Sequence, residues 1–91
     1  MSIYDKKILL VDDNRELLVM IEDTLRRNGY SSIAKAENVK EAEECFDREK
    51  PDMAILDIML PDGDGFTLFR KFREISNIPI LFLSAKEIGR A

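Results

Sequence analysis

Three aspartates in this chain of 91 residues stand at places where a carboxylate has to be explained. Asp12 and Asp13 directly follow the apolar run at 8–11, and Asp57 sits inside Ala-Ile-Leu-Asp-Ile. A buried, unpaired charge costs on the order of several kcal/mol, so Asp57 reads as a residue with a role. For Asp12 or Asp13 taken alone, a turn or a helix N-cap ahead of Arg15 is the simpler reading. Taken together, the three offer hard oxygen ligands. Carboxylates held close raise one another's pKa unless a cation intervenes. Mg2+ suits such a set, because it keeps several waters and uses only one or two carboxylates. Asp13 and Asp57 would bind it directly, and Asp12 directly or through water.

Other chemistry is excluded by what the chain lacks. It has no histidine, which removes Ser-His-Asp and Cys-His nucleophiles, imidazole acid–base schemes and histidine zinc sites. The single cysteine, Cys45, allows no internal disulfide and no Cys-x-x-Cys zinc site, and it suits a reducing cytoplasm. The stretch Met59-Leu60-Pro61-Asp62-Gly63-Asp64-Gly65 is acidic and glycine-rich, but an EF-hand loop starting at Asp62 would place Phe66 and Arg73 at ligand positions. Its bland reading is a turn at Asp62-Gly63 followed by Asp64 as a helix cap. No P-loop or Gly-x-Gly-x-x-Gly pattern is present. Ser84 ends an apolar run and offers one hydroxyl beside an anion held at Asp57, although such a serine is usually just the start of a turn. Lys86 gains no role from its position. The stripe Phe66, Phe69, Phe72 has the spacing of a helical core face.

These side chains need elements to position them, and the apolar pattern has a βα rhythm. Residues 7–11 read as a first strand. Leu17, Leu18, Ile21 and Leu25 then recur at helical spacing and stop at Asn28-Gly29. Residues 32–36 form a weaker strand, followed by a helix that opens on Asn38 and Glu41 as a capping box and buries Val39, Ala42, Cys45 and Phe46. Residues 53–58 make the third strand, a third helix carries the phenylalanines, and residues 79–83 make the fourth strand. Three such units predict a parallel sheet with helices on both faces. Strand two, with polar alternation, belongs at an edge, giving the order 2-1-3-4. Ligands bind such sheets beyond the carboxyl ends of the strands, where the strand order reverses. That places Asp12, Asp13 and Asp57 in one crevice.

Length allows one small domain, since typical domains run to about 150 residues. Hydrophobic residues make up 45% and charged residues 35%, an ordinary globular mixture. No apolar run approaches the ~20 residues of a membrane span. A net charge of −4 disfavours nucleic-acid binding and acidic membrane surfaces.

Three stretches, taken in order, resemble the receiver domain of bacterial two-component response regulators. They are Lys-Ile-Leu-Leu-Val-Asp-Asp-Asn, Pro-Asp-Met-Ala-Ile-Leu-Asp-Ile-Met-Leu-Pro-Asp-Gly-Asp-Gly-Phe and Pro-Ile-Leu-Phe-Leu-Ser-Ala. The resemblance implies an α/β, flavodoxin-like, doubly wound sheet with Mg2+ in its acidic crevice. It implies Asp57 as phosphoacceptor, a metal held by Asp12, Asp13, Asp57 and the backbone carbonyl of Met59, and Ser84 as switch hydroxyl. The implied partner is a sensor histidine kinase, which supplies the histidine this chain lacks. The module is then a cytoplasmic switch rather than a metabolic enzyme, and the Leu-Pro-Asp-Gly-Asp-Gly stretch looks like regulators that carry a winged-helix DNA-binding domain. Family members continue through another helix, a fifth strand and a last helix. Residues 1–91 therefore read as a partial receiver without the fifth-strand lysine and aromatic residue. A bare fourth strand invites pairing, so a homodimer through strand four or the neighbouring helix faces is expected. Two rivals stand beside this reading: an unphosphorylated pseudo-receiver, and a Mg2+-dependent phosphatase or nuclease, whose usual Asp-x-Asp pair is missing because position 59 is Met.

Overall fold

The computed structural model describes residues 5–83. Its elements run β1 (Ile8–Val11), α1 (Arg15–Arg27), β2 (Ile33–Ala36), α2 (Val39–Glu49), β3 (Met53–Asp57), β4 (Met59–Leu60), β5 (Gly63–Asp64), α3 (Gly65–Ile75) and β6 (Ile80–Leu83). The four longer strands form one parallel sheet in the order β2-β1-β3-β6. This is the order expected from the sequence, with β6 as the fourth strand read there. The glycine-rich stretch is more than a loop. It folds into a two-stranded antiparallel hairpin, with Met59 opposite Asp64 and Leu60 opposite Gly63. Its turn therefore falls on Pro61-Asp62, one residue earlier than expected, where proline's fixed φ suits the first turn position.

Burial explains the strand order. All four residues of β1 are buried, as befits a continuous apolar run with helices over both faces. On one face Leu9, Val11, Ala54 and Leu56 pack against Ala42, Cys45 and Phe46 of α2 and Leu68 and Phe72 of α3. The Phe46 and Phe72 rings stack with centroids 3.9 Å apart. On the other face Ile8 and Leu10 meet Leu18 of α1, with Ile21, Leu25 and Tyr30 partly buried around them. Each large side chain removed from water contributes about 1.5–3 kcal/mol. Coverage thins toward β6. Leu81 is 52% exposed, and β6 has β3 as its sole neighbour among the described residues.

The phenylalanine stripe is only partly core. Phe72 is buried and Phe69 partly so, but Phe66 is 48% exposed and leans on Phe82 with ring centroids 5.1 Å apart. At 3.6 residues per turn, positions 66 and 72 lie about 120° apart around the helix, too far to share one face. Leu68, one turn before Phe72, fills the core instead.

The helix ends follow local chemistry. Asn14, Asn38 and Asp64 cap α1, α2 and α3 through side-chain oxygens that accept from Leu17, Glu41 and Thr67 N–H. Glu41 reaches back to the N–H of Glu37 rather than to that of Asn38, one residue beyond the usual capping box. After α1, Gly29 takes φ 103°. Its N–H bonds to the Arg26 carbonyl, and the Tyr30 N–H bonds to that of Leu25. This is a Schellman stop, in which only glycine is relaxed, and it swings Tyr30 back over the α1 face.

Candidate functional site

Among the described residues, two strand ends and one hairpin build the site. β1 finishes at Val11, and the Asp12 N–H then extends the ladder by donating to the Ala36 carbonyl at 3.1 Å. The Asp12 side chain therefore falls inside the sheet's lip, 3% exposed. Its Oδ1 accepts from the Asn14 N–H at 2.9 Å, an Asx turn that leads into α1. The helix cap itself is Asn14, at 3.1 Å from the Leu17 N–H. The turn and the cap anticipated for Asp12 and Asp13 are thus divided between Asp12 and Asn14, and Asp13 stands exposed between them. Asp57 ends β3, half-buried and opposite Leu83 of β6.

Carboxylate oxygens of Asp12, Asp13 and Asp57 all lie within 4.8 Å of one another. The convergence expected from the strand order is therefore real. Burial pushes the Asp12 carboxyl pKa up; the Asn14 N–H works against this, and the negative charges of Asp57 and Asp13 add to it. The other Asp12 oxygen, Oδ2, is buried and has no hydrogen-bond partner. A buried carboxylate oxygen without a partner, on a residue clustered with two further carboxylates, is what an oxygen-liganded cation would satisfy. The residues present fit Mg2+.

The loop after Asp57 is pinned closely. Gly65 donates its N–H to the Ile58 carbonyl at 2.7 Å, and a Cβ at Gly65 would stand 2.3 Å from the Asp57 carbonyl oxygen. Helix α3 thus starts in direct contact with the backbone that presents Asp57, a closeness only glycine permits. Met59 opens β4 and is 58% exposed. Ser84, expected at the end of the fourth strand, lies outside the described residues, as does Lys86. Asp62, a turn residue by its sequence context, does more. Its two carboxylate oxygens accept from the N–H groups of Val39 and Lys40, at 2.7 and 3.1 Å. A partner 23 residues away leaves no local signal in the sequence.

Residues 8–89 match the response regulator receiver domain family. The chain belongs to that family. The receiver is 42% identical over 81 residues to the regulatory protein VanR of Enterococcus faecium, covering 89% of this chain and 35% of that protein. It is 38% identical over 84 residues to PhoP of Bacillus subtilis, the alkaline phosphatase synthesis transcriptional regulatory protein, covering 91% and 35%. The chain thus spans about a third of the length of these curated relatives. Among solved structures, the BeF3-activated N-terminal receiver domain of Klebsiella pneumoniae RstA superposes with a TM-score of 0.80 at 38% identity, over 86% of this chain and 66% of that one. A two-component response regulator from Clostridium difficile gives 0.81 at 35% identity, over 86% and 64%. The flavodoxin-like sheet of the receiver fold is therefore established here. Among the described residues no helix is long and apolar enough to cross a membrane.

Proposed function

We propose that this receiver accepts a phosphoryl group on Asp57 from the phosphohistidine of a sensor kinase and acts as a phosphorylation-controlled switch in the cytoplasm. The observation that carries the reading is the cluster of the Asp12, Asp13 and Asp57 carboxylates, the first of which also holds a buried oxygen with no hydrogen-bond partner. Residues 1–91 act in it as one receiver unit, and likeness to PhoP, a transcriptional regulatory protein, supports transcription as the output it controls.

A carboxylate oxygen of Asp57 attacks the phosphorus, the P–N bond to the partner's imidazole breaks, and the imidazole nitrogen keeps the electron pair. The product is an acyl phosphate on Asp57. Asp12, Asp13, Asp57 and the Met59 carbonyl would hold Mg2+, which supplies charge neutralisation at the phosphoryl oxygens when bound. The partly buried position of Asp57 at the end of a rigid strand fixes its direction of attack, and most of such catalysis is positioning and electrostatics. Ser84 takes the role of switch hydroxyl, following the new anion and shifting the receiver between two states.

Acetyl phosphate with Mg2+ tests this directly. Intact mass is expected to show one phosphoryl adduct on the wild type and none on Asp57→Asn. Adduct formation that survives in Asp57→Asn, or that needs no divalent ion, would overturn the assignment.

The half-covered β6, with Leu81 52% exposed, supports a second copy of the chain as its cover. Sedimentation is expected to give a dimer that Leu81→Glu converts to monomer. A wild type that stays monomeric at every concentration removes this part.

A further inference from the structure

We infer that Asp62 is a positioning residue for the acidic site: it clamps the β4–β5 hairpin, which carries Met59, onto the first turn of α2. The inference rests on the functional reading above, in which the Met59 backbone belongs to the metal-holding set.

Asp62 does more than complete a helix cap. Helix α2 already has its own cap, Asn38, whose side chain takes the Glu41 N–H at 2.8 Å. The N–H groups of Val39 and Lys40 are exposed, so water could satisfy them. Instead both oxygens of one carboxylate, from a loop 23 residues away, are committed to them. The bonds hold the Asp62 carboxyl below its usual range, the Val39 N–H contributing most, and the negative charge suits a helix N-terminus. The neighbouring Gly63 lies so close that a Cβ there would stand 3.0 Å from Val39 Cγ2. The turn is thus seated against α2 by two consecutive residues.

The hairpin needs such seating. Each strand is two residues long, and isolated hairpins are marginal even when longer. Its far end is tied to α3 by the Asp64 cap and the Gly65 N–H to Ile58 bond. Asp62 supplies the tie at the turn. With both ends fixed, Met59 has one backbone position relative to Asp57, two residues before it. With the turn released, β4 can pivot about Ile58.

Calorimetric Mg2+ titration of the full chain tests the role, with Asn38→Ala as the control. Both Asp62→Ala and Asn38→Ala remove contacts at the same helix end, and both are expected to lower the melting temperature. Only Asp62→Ala is expected to weaken Mg2+ binding, by roughly tenfold, as loss of a group that orients a ligand does. Amide exchange at Met59 and Asp64 is expected to quicken in Asp62→Ala and not in Asn38→Ala. Asp62→Asn, which keeps one acceptor, falls between wild type and Asp62→Ala in affinity. Equal Mg2+ affinity in Asp62→Ala and wild type, or an equal loss in Asn38→Ala, overturns the inference while leaving the functional reading intact. A wild type that takes up no Mg2+ at all removes both.

Discussion

Gly65→Ala is expected to destabilise the receiver by about 3 kcal/mol, at the upper end of what overpacking costs. Helix propensity alone predicts the opposite sign, since alanine is the better helix former by about 1 kcal/mol in a helix interior. The steric argument wins because of what the new methyl meets. The Cβ would lie 2.3 Å from the Asp57 carbonyl oxygen and 3.2 Å from Ile58 Cα. Both are backbone atoms of the strand end that presents Asp57, and neither can rotate away. Gly63→Ala is the internal comparison. There the nearest atom is Val39 Cγ2 at 3.0 Å, the end of a side chain that can yield, so a cost below about 1 kcal/mol is expected. In a chain of this size 3 kcal/mol corresponds to a fall of roughly 12–24 °C in melting temperature. Small domains have little stability in reserve, so the variant is also expected to lose Mg2+ uptake as Asp57 is displaced. Thermal unfolding of the two variants beside wild type decides it. A Gly65→Ala protein as stable as Gly63→Ala would show that the contact relaxes cheaply.

The same loop marks the boundary of what could be read from the amino-acid order. The parallel strands were legible because Ile8-Leu9-Leu10-Val11 and the runs at 53–56 and 80–83 are continuous and apolar, the pattern of strands in a helix-covered parallel sheet, although the last of them is only half-covered. From that pattern the strand order followed, and from the strand order the convergence of Asp12, Asp13 and Asp57. The hairpin was not legible. Strands of two residues, Met59–Leu60 and Gly63–Asp64, have no periodicity to detect. Phe66 misled because a stripe at i, i+3, i+6 drifts around the helix, whereas Leu68 and Phe72, four apart and both buried, share a face. The division of labour at the end of β1 was also hidden. Asp12, Asp13 and Asn14 are all good turn and cap residues, and only the Asp12 N–H bond to Ala36 determines which of them faces inward.

That inward-facing carboxylate leads to a gain of stability bought with function. Without divalent ions at neutral pH, Asp12→Asn is expected to be more stable than wild type by about 1–2 kcal/mol, the typical cost of a buried acceptor left unsatisfied. The asparagine keeps an oxygen for the Asn14 N–H and replaces the orphaned Oδ2 with an uncharged donor in a cluster that holds two further carboxylates. The pH dependence gives the sign check. The folded-state pKa of Asp12 is raised above its ordinary 3.8 by burial and by its acidic neighbours. The folded chain therefore holds a proton there that the unfolded chain has already lost, and stability falls as pH rises from 3.8 through the raised value. Asparagine has no proton to lose, so the advantage of the variant should appear only above that window and shrink as the pH is lowered toward 3.8. Saturating Mg2+ should reverse the ranking at neutral pH, because an ion bound to the folded state stabilises wild type and, after loss of a ligand, binds Asp12→Asn far less. Urea unfolding in EDTA and in Mg2+, repeated across pH, measures all three effects. A variant less stable than wild type in EDTA at neutral pH would mean that the acidic cluster carries no strain, and that the lone oxygen at position 12 is satisfied without a cation.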